Sequence, residues 1–157
     1  MRHAKSSWKT PGADLTRPLS DRGKRDAVAA GEILAGYSID RVWCSSALRA
    51  QQTWAQAQLG GAAATETVIS EAVYQAWPDE LLAGMNALPN ELETLLIVGH
   101  QPTVGDLVTM LAKPSPLVAQ VAEHYPTAGL AVLTYRGGWK TLAASKATLA
   151  RFEKPRA

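Results

Sequence analysis

The stretch Thr94-Leu95-Leu96-Ile97-Val98-Gly99-His100-Gln101-Pro102 carries the plainest structural signal in the chain. Thr94–Val98 is a short, continuous apolar run without polar alternation, the pattern of a strand buried on both faces. Pro102 fits the opening of a helix that continues through Leu111. His100 therefore stands where a buried strand turns into a helix. In parallel α/β sheets ligands bind at such carboxyl ends of strands, and a helix N-terminus there favours anions.

Outward from this crossing the same alternation repeats. Ser20 reads as the N-cap of a helix to about Leu34, with Asp21 in its first turn and Gly36 past its end. A strand is expected at Arg41–Cys44, and a helix from about Ala47 to Leu59 stopped by Gly60-Gly61. Thr67–Ser70 reads as a short strand and Pro78–Leu88 as a helix, its Asp79 and Glu80 suiting the positive helix end. Lys113–Pro116 is a break, followed by a helix at Leu117–His124. Gly129–Tyr135 and Trp139–Ala144 read as two strands joined at Gly137-Gly138, a hairpin signal. Alternating strand and helix imply one α/β domain over residues 1–157, with a mostly parallel central sheet between helical layers.

Composition narrows the function. The chain has 157 residues, 46% hydrophobic and 19% charged, as expected of one ordinary globular domain. Its net charge of +2 is too small for a dedicated nucleic-acid or membrane-surface binder. A single cysteine excludes a disulfide framework and any CxxC zinc or redox site. No apolar run is long enough to span a bilayer, and no apolar stretch follows the basic N-terminus as in a signal peptide. The expected compartment is the cytoplasm, and the expected state a monomer.

Four residues stand out for chemistry. His100 follows the buried run; Arg2 and His3 open the chain; Arg49 lies at the second strand-to-helix crossing, in Cys44-Ser45-Ser46-Ala47-Leu48-Arg49. Each alone has a plain reading: a hydrogen-bonded histidine, a solvated basic terminus, a helical arginine facing water. Together they form a set able to bind a tetrahedral phosphoryl group, because the planar guanidinium matches its oxygens. A neutral imidazole can attack phosphorus.

The stretches RHAKSSW, DLTRPLSDRG, CSSALRAQQT and VGHQPTVGDL, in this order, resemble the histidine phosphatase superfamily. The tail YPTAGLAVLTYRGGWKTL and FEKPR is similar to its small SixA-type phosphohistidine phosphatases. The resemblance implies a three-layer α/β/α fold of the phosphoglycerate mutase type. It implies His3 as the nucleophile that becomes phosphorylated, and Arg2, Arg49 and His100 as the groups holding the phosphoryl oxygens. Asp14, Arg17, Leu19 and Gly23 match the loop and helix start after the first strand. Arg17 is expected either at the phosphate pocket's rim or as a structural pin, and Ser46 beside the pocket. Many relatives carry a carboxylate acid after the third strand. Glu71 is the nearest candidate and Asp79 the second, with two surface carboxylates as the alternative. No metal or cofactor is implied. The implied partner is a protein bearing phosphohistidine, whose imidazole leaves with far less proton assistance than an alkoxide.

Relatives place an apolar strand before the Arg-His pair, whereas only Met1 precedes it here. The first strand is therefore expected to be cut short, either because residues lie upstream or because the domain tolerates it. Three rivals remain. A cysteine phosphatase would need C-x5-R, but Cys44 and Arg49 give C-x4-R. A small-molecule phosphomonoesterase or mutase on the same fold would carry a longer lid and a firm acid. A phosphohistidine-binding module without activity would be expected to lack His3 or one of the arginines.

Overall fold

The computed structural model describes residues 1–9 and 11–156. Three parallel strands, β1 (Ile39–Ser45), β2 (Ala64–Ser70) and β3 (Leu95–Val98), form a sheet in the order β2-β1-β3. An antiparallel pair, β4 (Leu130–Thr134) and β5 (Thr148–Glu153), makes a second sheet. Helices α1 (Asp21–Leu34) and α2 (Leu48–Leu59) lie on one side. Helices α3 (Glu71–Gln75), α4 (Pro78–Asn86), α5 (Thr103–Leu111) and α6 (Pro116–Glu123) complete the chain.

The strand period of two sorts the core. Val42, Cys44, Leu96 and Val98 pack with Ala50, Trp54 and Ala57 of α2. Their neighbours Trp43, Leu95 and Ile97 pack with Leu81 and Met85 of α4 and Leu107 and Leu111 of α5. Both faces of β1 and β3 are thus covered, which gives the three-layer α/β/α arrangement of the phosphoglycerate mutase type. It also explains why residues 94–98 show no polar alternation.

Helices α1 and α2 meet backbone to backbone. A Cβ on Gly31 would lie 2.0 Å from the Ala57 carbonyl oxygen, and one on Gly60 2.1 Å from that of Val28. Only hydrogen fits at either position. The N-cap at Ser20 is present, its hydroxyl accepting from the Gly23 amide at 3.1 Å.

Met1–His3 form a short extended segment between the two sheets. The Gly99 amide donates to Met1 O and the His3 amide to Gly99 O, while the Arg2 amide donates to Gly129 O. Arg2 and Gly99 make a single parallel bridge. Below Met1, toward the start of β3, a cavity of about 690 Å³ opens, lined by Leu96, Ile97, Val132 and Leu133 among others. The Met1 ammonium donates to Ile97 O at 2.8 Å at the head of this slot. Burial lowers its pKa to about 5.

The second arm of the C-terminal hairpin lies elsewhere than the residue pattern places it. Trp139–Thr141 is a single 3-10 turn, and the strand that pairs with β4 is Thr148–Glu153. Tertiary bonds hold the 139–142 segment away from β4. Asn86 Nδ2 donates to Trp139 O and Leu142 O, and the Trp139 indole N–H donates to Leu92 O. Helix α3, directly after β2, is a single short turn over Glu71–Gln75 that the residue pattern leaves unassigned. No helix among the described residues is long and apolar enough to cross a membrane.

Candidate active site

Arg2 and His3, Arg49 and His100 come from three separate places in the chain and meet at the carboxyl ends of β1 and β3. His3 rides on the short extended segment, and His100 on the turn between β3 and α5. Arg49 is in the first turn of α2, where the helix start and β1 bring it under the sheet's end. Thr53, one helical turn on, fixes the relation: its hydroxyl accepts from the Ala4 amide at 2.9 Å and donates to Arg49 O at 2.6 Å.

Arg49 is the hub. Its Nε donates to His3 Nε2 at 3.3 Å, and its Nη2 lies 3.3 Å from His100 Nδ1. A guanidinium only donates, so both ring nitrogens present lone pairs to it. The other nitrogens are then fixed as donors. His3 Nδ1 donates to Ala4 O at 2.7 Å, and His100 Nε2 to Ser45 Oγ at 2.7 Å. The two rings lie 5.1 Å apart, centroid to centroid.

Burial and nearby charge keep both rings neutral. Burial above all, with the nearby Arg49 and Arg2 cations, lowers the His3 pKa to about 3, against the opposing bond to Ala4 O. Burial and then Arg49 lower His100 to about 4, against the opposing pull of Asp14. At neutral pH His3 Nε2 is therefore an unprotonated nitrogen beside a fixed positive charge. Arg2 completes the cluster. One of its terminal nitrogens donates to Tyr125 O at 2.7 Å, and its Nε is buried without a protein partner.

Asp14, which residue patterns place only in the loop after the first strand, closes the mouth of this site. Its Oδ2 accepts from Arg49 Nη2 and from the Tyr74 hydroxyl, each at 2.9 Å. Its Oδ1 accepts from Arg17 at 2.7 Å, and its backbone oxygen from Arg49 Nη1 at 2.7 Å. Desolvation, the largest single influence, pushes the carboxyl up, but the bonds from Arg49 and Tyr74 and the Arg49 and Arg17 charges together outweigh it and hold the carboxyl below the usual carboxylate range. Arg17 also stacks over Trp8, its guanidinium 3.8 Å from the ring centre. It stands one link from Arg49, through Asp14. Tyr74 meets the His100 ring edge-on at 5.4 Å.

The candidate acids stand apart. Glu71 opens α3 with its side chain exposed, and no hydrogen bond or ion pair ties it to the cluster among the described residues. Asp79 is exposed at the start of α4. Ser46 Oγ is buried without a partner, and its neighbour Ser45 touches His100 instead. Cys44 is fully buried, and burial pushes its thiol up to about 12, so it offers no thiolate. Ser45 and Tyr74 give no sequence signal stronger than their position near strand ends, whereas Asp14 stands in the matched loop motif without a role assigned to it. No cluster of metal-ligating side chains exists among the described residues.

The family model of the histidine phosphatase superfamily (branch 1) matches residues 1–144. An uncharacterized protein of Mycobacterium tuberculosis is 39% identical over 162 residues, covering 99% of this chain and 100% of that protein. Among solved structures, the protein assigned as phosphohistidine phosphatase SixA of Nakamurella multipartitia is 34% identical with a TM-score of 0.85. The match covers 100% of this chain and 94% of that one. Its counterpart assigned in Agrobacterium tumefaciens is 28% identical with a TM-score of 0.80, covering 99% and 95%.

Proposed function

The chain belongs to the histidine phosphatase superfamily and is a phosphatase, and we propose that it hydrolyses the P–N bond of phosphohistidine on a protein. The observation that carries this is the state of His3. Its Nε2 lone pair faces Arg49, and its Nδ1 proton is pinned on Ala4 O. His3 Nε2 attacks phosphorus in line, while Arg49 and Arg2 meet the equatorial oxygens and offset their charge, and the His100 N–H turns from Ser45 Oγ to a phosphoryl oxygen. The P–N bond breaks, and the substrate imidazole leaves with the electron pair. Water then attacks the phosphorus on His3, the P–Nε2 bond breaks, and phosphate and a proton are released. Splitting the reaction this way replaces one difficult step with two easier ones.

The phosphohistidine preference rests on leaving-group chemistry. An imidazole has a pKa near 6.5 and departs with little help, whereas a serine alkoxide needs a placed proton donor. The exposed, unattached Glu71 suits a reaction with a small demand for acid. The likeness to proteins assigned as SixA supports the same substrate class.

The test is kcat/KM on a chemically phosphorylated histidine protein, a phosphoserine peptide and a sugar phosphate. Phosphohistidine should be cleaved far faster than the other two, and Glu71→Gln should slow it only modestly. Comparable rates on phosphoserine, lost together with Glu71, would assign the protein to phosphomonoesters and make Glu71 its acid.

A further inference from the structure

His3 stands on the floor of the site, buried with Arg49 beneath the loop that carries Asp14. Asp14 and Arg17 are more open, with Asp14 half exposed, and with Tyr74 they form the mouth. In-line displacement sends the leaving group away from the nucleophile. The leaving group must therefore depart past these mouth residues.

Phosphoryl transfer from phosphohistidine to His3 is an exchange between two imidazoles. In each ring one nitrogen bonds phosphorus and the other carries a proton. On the enzyme's side that proton has a fixed acceptor, Ala4 O at 2.7 Å. On the substrate's side the carboxylate of Asp14 is the anionic acceptor at the mouth. A carboxylate offers about four lone-pair positions. Arg49, Tyr74 and Arg17 take three of them, so one more donor can be received. Phosphoryl oxygens drawing on Arg49 would free another.

From this placement we infer that Asp14 is a specificity-determining residue: it binds the leaving imidazole through the N–H distal to phosphorus. This rests on the phosphohistidine substrate proposed above. The ring is cationic while it holds both phosphoryl group and proton. When the P–N bond breaks, the pair returns to nitrogen and a neutral imidazole departs with its proton still directed at Asp14. The carboxylate keeps that proton on the ring at pH values where free phosphohistidine would lose it, so an imidazolide never has to leave. An ester oxygen has no such proton, and the negative charge growing on it would be repelled by Asp14. One side chain thus favours P–N substrates and disfavours P–O ones. The groups facing the carboxylate are Arg49, Arg17 and Tyr74, with His100 behind Arg49.

The experiment measures kcat/KM from pH 6 to 9 on a phosphohistidine peptide and on p-nitrophenyl phosphate, for the parent and for Asp14→Asn. The amide of that variant is isosteric with the carboxylate, and the substitution leaves the backbone contact to Arg49 in place. The ratio of phosphohistidine to aryl phosphate activity should fall by about tenfold or more, the scale of a charged hydrogen bond. The fall should be largest at alkaline pH, where the substrate ring most needs help to stay protonated. An equal loss on both substrates at every pH would reduce Asp14 to a holder of Arg49 and overturn the inference. An unchanged ratio would overturn it as well. A parent that hydrolyses the aryl phosphate but spares phosphohistidine overturns the substrate assignment itself, and this subsite with it.

Discussion

The two ends of the central sheet are built on opposite principles, and Met1–His3 joins them. At the carboxyl ends of β1 and β3, polar atoms crowd together: His3, Arg49, His100, Ser45 and Asp14 form one continuous hydrogen-bonded chain. At the other end, below Met1, the walls are apolar and a cavity of about 690 Å³ separates β3 from β4. The first end is over-determined, since each ring nitrogen there has a named partner. The second is under-filled, since β3 pairs with β1 and β4 with β5, and among the described residues no strand runs between them below Met1. Met1–His3 holds the His3 ring at the site by backbone bonds to Gly99 and Gly129, and Arg49 and Thr53 hold it from the side. Precision at the site comes from the polar network above rather than from packing below.

If the network above carries the chemistry, removing its members should cost far more than changes to the slot. His3→Ala should lower kcat by roughly 10⁴-fold or more, the scale seen when a covalent nucleophile is lost, and should abolish the acid-labile phosphoenzyme in a rapid-quench assay. Retained turnover would break the comparison at its strongest point. Arg49→Ala and His100→Ala should each cost about 10²- to 10³-fold in kcat, as for other groups that meet developing charge. Their effects should fall short of additive, because one guanidinium touches both rings.

The slot is tested by filling it. A form lengthened before Met1 by four apolar residues would turn the buried amine into a peptide N–H, with the same bond to Ile97 O available to it. It would also place side chains against Leu96 and Val132. At roughly 1.5–3 kcal/mol per large side chain buried, thermal unfolding should shift upward by about 5 °C or more. Equal midpoints would show that the slot does not accept a strand.

The smallest effect links both ends through pH. The Met1 amine and the rings of His3 and His100 have folded pKa values near 5, 3 and 4, against ordinary values of 8.0, 6.5 and 6.5. Between these limits the unfolded chain binds more protons than the folded one. Stability therefore falls as pH falls from 8 toward 5. Unfolding midpoints should decline over that range, and the slope should be shallower in His100→Gln. A midpoint that holds level or rises on acidification would mean that these groups are not neutral in the fold.

How far the sequence reaches is visible in particular elements. Ser20 and Pro102 announce their helices because caps and ring constraints are local. The buried β3 is readable because covering both faces removes alternation. The 139–142 segment is misread as a strand because Gly137-Gly138 imitates a hairpin turn. The bonds that bend it away come from Asn86 and Leu92, some fifty residues earlier. The same divide runs through the site. Arg2, His3, Arg49 and His100 are legible from motif order, and Asp14 too as a motif match, but its bonds, like Ser45 and Tyr74 themselves, emerge only through tertiary contact. Tyr74 meets Asp14 across 60 positions of sequence, and no local pattern encodes that.

The backbone contact between α1 and α2 has a mechanical consequence. Gly31 touches Ala57 and Gly60 touches Val28, both near the far end of α2. Arg49 stands at its near end, about eight residues or roughly 12 Å away along the axis. The two contacts clamp the far end of α2 against α1, and Arg49 stands at the near end of the same rod. A single methyl group added at Gly31 would push the clamped end of α2 away from α1 and tilt the rod. Displacements of about 1 Å at reacting groups can cost a hundredfold in rate. Two residues with no side chain, far along α2 from the polar cluster, thus fix the seat of the helix that carries the guanidinium.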